Sequence, residues 1–148
     1  MGRLLGRWRF WRRRPALALQ LRVERERTAI GRCSDSVAQA LAGQVPAEAQ
    51  HDVLVVLDEL LTNVIMHAEQ AAGAIDVDLR LGRGAIKLTI SYLAVEFDPT
   101  TWGAASAGTT VATSRIGGLG ITIVRKLMDE FHYEYSDGRN TLRLLKRC

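Results

Sequence analysis

Glu59-Leu60-Leu61-Thr62-Asn63-Val64-Ile65-Met66-His67-Ala68 closes a run that starts at Val53 and is almost wholly apolar. Val53, Leu54, Val55, Val56, Leu57, Leu60, Leu61, Val64 and Ile65 supply that character. A helix of this composition must be largely buried. Glu59, Asn63 and His67 recur every four residues, so they share one stripe of it. A carboxylate and an amide on a buried helix are costly unless they find partners. A cavity holding a metal ion and water would supply them, because a carboxylate can polarise a nucleophile and an amide oxygen suits a hard ion such as Mg2+. A helix with one solvated side accounts for the same spacing, and Asp58 and Thr62 beside the stripe fit that reading. Spacing alone leaves both open.

Working outward, Pro46 suits the first turn of this helix, whose pattern runs to about Gln70, with Gly73 as a stop signal beyond it. Upstream, Glu24–Ala42 has helical spacing with Ile30, Val37 and Leu41 on the apolar side and Gly43 as its stop. Before that, Leu17, Leu19, Leu21 and Val23 alternate within Ala16–Val23 and predict a strand. Downstream, Ile75, Val77, Leu79 and Leu81 alternate, Gly82-Arg83-Gly84 turns the chain, and Ile86, Leu88 and Ile90 alternate again, a hairpin signal. Asp98–Ile116 is rich in Gly, Ala, Ser and Thr with no sustained period, which predicts a long, mobile loop. Gly120–Glu130 reads as a helix with Ile121, Val124 and Leu127 or Met128 inward. Phe131, Tyr133 and Tyr135 open a last hairpin through Asp137-Gly138, with Leu142 and Leu144 on its return strand. The layout is α+β: one antiparallel or mixed sheet with helices on a single face.

Gly117-Gly118-Leu119-Gly120 ends the long loop and opens the last helix. Glycines there let backbone N–H groups approach phosphate, a helix N-terminus favours anions, and the neighbouring Arg115 could clamp a terminal phosphate. A flexible turn gives the same cluster. Neither a P-loop nor a GxGxxG after a strand is present.

A chain of 148 residues, 47% of them hydrophobic, suits a single globular domain. No apolar stretch reaches the eighteen or so residues of a membrane span. The net charge of +4 is unevenly placed: residues 1–14 carry six Arg and no acid, so 14 basic and 16 acidic residues remain in 15–148. No basic stripe runs through the body, and direct nucleic-acid binding is not expected. The tail, with Trp8, Phe10 and Trp11 set among Arg7, Arg9, Arg12, Arg13 and Arg14, could make weak contact with an anionic membrane or an acidic partner. A disordered start over residues 1–15 fits it too, and an Arg-rich transit segment stays open. Ala16–Leu21 is too short for a secretory core. Cys33 and Cys148 lie far apart without ligand spacing and read as free thiols of a reducing, cytoplasmic compartment.

Taken in order, these pieces resemble the GHKL superfamily, the Bergerat-fold ATPases and kinases, and within it the anti-sigma-factor serine kinases. Glu59 to Ala68 resembles the family's N box in the form E-x-x-T-N-x-x-x-H-A; Phe97-Asp98-Pro99 resembles the end of its first glycine box. Ile116-Gly117-Gly118-Leu119-Gly120-Ile121, continuing to Leu127-Met128-Asp129-Glu130, resembles its second glycine box and the helix behind it. The likeness covers roughly residues 16–147. It implies a two-layer α/β sandwich over residues 16–148 that holds ATP and Mg2+ between the N-box helix and a lid. By that resemblance Glu59 is the general base toward a serine hydroxyl and Asn63 binds Mg2+. Asp98, Arg115, Gly117, Gly118, Leu119 and Gly120 join Asn63 around the nucleotide. The implied partners are a STAS-domain anti-anti-sigma protein that carries the serine and a sigma factor or equivalent output protein, with the kinase itself a homodimer.

The first glycine box departs from the family pattern. It normally reads Asp-x-Gly-x-x-Phe-Asp-Pro, and here Tyr92 holds the Asp position and Ala94 the Gly position. In the family that Asp accepts a hydrogen bond from the adenine amino group, and the Gly lets the backbone pass close to the ring. Regular alternation along Ile86–Tyr92 points Tyr92 inward with Ile86, Leu88 and Ile90, into space a purine needs. An active serine kinase is favoured by Glu59 and Asn63; a degenerate, non-catalytic module that sequesters a partner is favoured by Tyr92 and Ala94. A histidine-kinase-like fragment is disfavoured, since no phosphoacceptor or dimerisation helix precedes the domain.

Overall fold

A computed structural model describes residues 14–101 and 119–148. In chain order these form β1 (Leu17–Val23), α1 (Arg27–Leu41), α2 (Ala47–His67), β2 (Ala72–Gly82), β3 (Ala85–Leu93), a single turn of 3-10 helix (Pro99–Thr101), α3 (Leu119–Leu127), β4 (Glu130–Ser136) and β5 (Arg139–Arg147). The five strands make one sheet in the order β1-β2-β3-β5-β4, and every neighbouring pair is antiparallel.

Alternation sorts the sheet into two faces. Ile75, Val77 and Leu79 of β2, Ile86, Leu88, Ile90 and Tyr92 of β3, and Leu142 and Leu144 of β5 are buried together with Ile30, Val37 and Leu41 of α1. Val53, Val56, Leu57, Leu60, Leu61 and Val64 of α2, and Ile121 and Val124 of α3, complete this core. The opposite face is polar, with Arg22 and Arg139 flanking Asp76, Arg80 on Asp78, and Arg143 on Glu134. These pairs are exposed to water and contribute little. A more buried pair ties the layers: Lys146 of β5 meets Asp52 of α2 at 2.8 Å and donates to the Leu127 carbonyl that ends α3. The hydrogen bond that Lys146 donates to the Asp52 carboxylate holds the Lys146 amine above its usual range. Cys33 is buried, Cys148 is exposed, and both are free. Among the described residues no helix is long and apolar enough to cross a membrane.

Both hairpins close as the turn residues predict. Gly82 pairs with Ala85 and Ser136 with Arg139, leaving two-residue loops Arg83-Gly84 and Asp137-Gly138. All four loop residues have positive φ, as the twist of a tight hairpin requires. Gly43, at φ 72, follows the last residues of α1 as expected.

Three element ends differ from the sequence reading. The first helix begins at Arg27 rather than Glu24, because the chain bends after β1, with the Glu26 N–H donating to the Glu24 carbonyl and Glu26 itself extended at the cap. The second stops at His67 rather than near Gln70: Ala68 is already extended and Gln70 has φ 50. Gly73 consequently terminates no helix; at φ 71 it lies in β2, where the pairing with β3 slips between Ala72 and Asp76. The third helix ends at Leu127 instead of Glu130, because the Asp129 N–H donates to the Leu145 carbonyl and Glu130 pairs with Leu145 at the start of β4. Of the long loop, Asp98–Thr101 is described; residues 102–116 lie outside the described residues.

Candidate functional site

The stripe on α2 fixes one end of a cleft. Glu59, Asn63 and His67 are each half-buried, between the fully buried apolar face and exposed Asp58 and Met66. Opposite them comes the first turn of α3. Gly120 is buried there, and its lack of a side chain is what allows the approach. A methyl group built on it would lie 2.6 Å from Glu59 Oε2 and 3.7 Å from Asn63 Nδ2. The glycine cluster and the polar stripe, 57 residues apart counting from Asn63 to Gly120, thus meet in space. A carboxylate, an amide and a helix N-terminus converging at one point form a set that suits a hard cation and an anionic group side by side. Among the described residues no three His, Cys, Asp or Glu side chains gather as a metal cage. That is the usual situation for Mg2+, which takes one or two protein ligands and completes its shell with water and phosphate.

At the other end Tyr92 takes up the space under β3. Tyr92 points inward, as alternation predicts, and is 1% exposed. Between it and α2 lies a cavity of about 10 Å3, walled by Asn63, Val64, Tyr92, Phe97, Pro99 and Leu142 among others. That volume holds roughly one water. Burial, with a smaller contribution from Tyr133, pushes the Tyr92 phenol up to about 12 against the opposing pull of Arg25, so it is a neutral hydroxyl at physiological pH.

The backbone after Tyr92 is pinned by a residue that sequence reading passed over. Asn140 is wholly buried on β5. Its Oδ1 accepts from the Phe97 N–H at 3.0 Å and from the Tyr133 hydroxyl; its Nδ2 donates to the Val95 carbonyl at 3.2 Å and the Ala94 carbonyl at 3.4 Å. The Phe97 N–H is shared with the Tyr133 oxygen at 3.1 Å. Ala94 N–H donates to Gly138 O and Val95 N–H to Glu69 O. The signal was present: Asn140, Leu142 and Leu144 alternate on one face, and a polar residue at an inward position must be satisfied. Arg25, also passed over, donates to the carbonyls of Gly73 at 2.7 Å and Leu93 at 3.2 Å, binding the strand ends behind Tyr92.

The remaining sequence-derived positions fall as follows. Asp98 caps the 3-10 turn, its Oδ1 accepting from the Thr100 N–H at 2.9 Å and from the Thr100 hydroxyl. Leu119 opens α3 beside Gly120. Arg115, Gly117 and Gly118 lie outside the described residues. The structure therefore brings Glu59, Asn63 and Gly120 together and puts Asp98 to work in its own loop.

The sequence and the fold both have known relatives. Residues 22–146 match the family model of the histidine kinase-like ATPase domain. The serine-protein kinase RsbW of Listeria innocua serovar 6a is 30% identical over 128 residues, covering 82% of this chain and 81% of the relative. RsbW of Listeria monocytogenes serovar 1/2a shows the same identity and coverage. A crystal structure of the RsbU and RsbW domains of Rv1364c from Mycobacterium tuberculosis superposes with a TM-score of 0.63 over 91% of this chain. At 16% identity that likeness speaks for the fold, and this chain spans 33% of that longer one. The chain belongs to the histidine kinase-like ATPase domain family and is similar, within it, to the RsbW serine-protein kinases.

Proposed function

We propose that this chain is an anti-sigma regulator that phosphorylates a serine of a STAS-domain antagonist at the expense of ATP. The observation that carries this reading is the convergence of Glu59 and Asn63 on Gly120, where even a methyl group would collide with the carboxylate. A carboxylate, an amide and a bare backbone brought this close together suit phosphoryl chemistry with a hard cation. Glu59 serves as the general base: its carboxylate takes the proton of the serine hydroxyl, a role worth typically 10²–10⁴-fold. The Asn63 Oδ1 is the protein ligand for Mg2+. Mg2+ supplies neutralisation of phosphate charge when bound. The start of α3, with Gly117, Gly118 and Arg115 ahead of it, receives the phosphates. The similarity to RsbW serine-protein kinases supports the same assignment. In this reading residues 16–148 form the functional domain, the protein acts as a cytoplasmic homodimer, a sigma factor or equivalent output protein is its second partner, and it does not itself bind nucleic acid.

A second reading is favoured by one observation, the filling of the cleft by Tyr92: a module that sequesters its partner without turnover. Incubating the purified chain with Mg2+, ATP and its STAS-domain antagonist separates the two. Phosphate on the antagonist's serine, absent with Glu59→Gln, is expected; stable partner binding with no phosphate on the serine would replace the kinase by the sequestering module.

A further inference from the structure

We propose that the base half of the cleft is shut in this chain, so that the site binds magnesium–polyphosphate without reading a purine, with Tyr92 excluding the base and Asn140 as the positioning residue that keeps the wall in place. The inference rests on the nucleotide-cleft reading above and concerns what that cleft recognises.

Space is the first argument. A pocket that reads a small organic ligand runs to roughly 300 Å3 or more, whereas the cavity beside Asn63 is about 10 Å3. Tyr92 occupies the room, and it is a core residue, packed with Ile90 and Leu142 rather than laid over the surface.

Rigidity is the second. A filled pocket could still open if its wall swung away, but residues 94–97 are held from three sides. Asn140 grips Ala94, Val95 and Phe97, the Gly138 carbonyl holds the Ala94 N–H, and the turn after α2 holds the Val95 N–H through the Glu69 carbonyl. Opening the wall exposes a wholly buried amide and breaks a bonded cluster, the kind of network that is costly to leave half-satisfied. Arg25 fastens Gly73 and Leu93 behind the same side chain.

Chemistry is the third. Discriminating adenine from guanine requires placed donors and acceptors, since an exocyclic amine and a carbonyl differ in hydrogen-bond sense. Among the described residues lining the cavity there is no carboxylate, and the polar side chains are Asn63 and Tyr92. Asn63 faces Gly120 and the metal end. Tyr92 offers a neutral phenol, a weaker acceptor than a carboxylate.

Calorimetric titration of the full chain with ATP, GTP and inorganic tripolyphosphate, each with Mg2+, tests this without reference to turnover. Dissociation constants within about threefold of one another are expected. ATP bound tenfold or more tightly than both others would overturn the inference while leaving the kinase reading intact; no binding of any of the three would overturn both. Two variants assign the roles. Tyr92→Ala should tighten ATP at least threefold relative to tripolyphosphate, by giving the base somewhere to go. Asn140→Ala should speed hydrogen exchange at the Phe97 amide and shift ATP relative to tripolyphosphate. Equal weakening of all three ligands would reduce Asn140 to a purely structural residue and remove it from the proposal. Should Tyr92→Ala not fold, the three-way titration of the native chain decides alone.

Discussion

At the end of the cleft where Glu59 and Asn63 meet α3, the decisive residue is the smallest one available: Gly120 lets backbone approach a carboxylate to within the reach of a single methyl group. At the other end, under β3, the decisive residue is among the largest: Tyr92 is the bulkiest fully buried side chain described. Among the described residues the first end is polar and half-buried; the second is largely apolar and held by a hydrogen-bonded amide at its rim. The contrast teaches that one helix, α2, can serve two regions with different demands, because Glu59 lies against Gly120 while Leu60 and Val64 line the cavity beside Tyr92, with Asn63 between the two.

The sharpest break should come at the open end. Glu59→Gln is expected to lower serine phosphorylation by roughly 10²–10⁴-fold while leaving the thermal midpoint unchanged. Initial rates and a melt on the same preparation check it, and an unaltered rate would take Glu59 out of the mechanism. Gly120→Ala should act on the same point by displacement. The added methyl meets the free end of a flexible side chain, so the carboxylate yields rather than the fold. Activity should fall about a hundredfold through misplacement of the base. The helix itself should hold, because Gly120 does not need the positive φ that only glycine adopts readily. A fall in stability matching the fall in rate would show that the contact is structural.

The closed end should answer in stability rather than rate. Asn140→Ala leaves the Phe97 N–H with the Tyr133 oxygen alone and strips the Ala94 and Val95 carbonyls of a buried donor. A loss of about 2 kcal/mol, roughly thirtyfold in the folding equilibrium, is expected from urea denaturation. A change under about 0.5 kcal/mol would mean that water replaces the amide without loss. The smallest effect belongs to rebuilding the base site. Tyr92→Asp with Ala94→Gly should tighten ATP about tenfold and restore preference over GTP, by the worth of one charged hydrogen bond. Equal affinities for the two nucleotides in that variant would show that more than these two positions separates the closed end from a base-binding one.

Much of this contrast was legible in the sequence, and unevenly so. The burial of Val53–Val64, the stripe on it, both hairpin loops and the inward direction of Tyr92 all follow from local periodicity and turn chemistry. The ends of the helices did not, because they are settled by competition. Asp129 bonds Leu145, 16 residues on, in place of continuing α3, and nothing in the local pattern announces that partner. The meeting of Gly120 with Glu59 was implied by resemblance and not by spacing. The clamp by Asn140 is not legible locally, because its partners Ala94, Val95 and Phe97 lie more than forty residues away. Asp98, expected at the nucleotide, also accepts from Thr100 through its Oδ1, a local capping role that the motif alone does not announce.

A crystal structure of the full chain with Mg2+ and a non-hydrolysable ATP analogue tests the central claim, one built end and one shut end, most directly. The account predicts the metal on Asn63 Oδ1, the phosphates at the start of α3 beside Gly120, the Tyr92 ring still in the core, and the adenine outside it. An adenine buried in the place of the Tyr92 ring, or a metal bound away from Asn63, would contradict it.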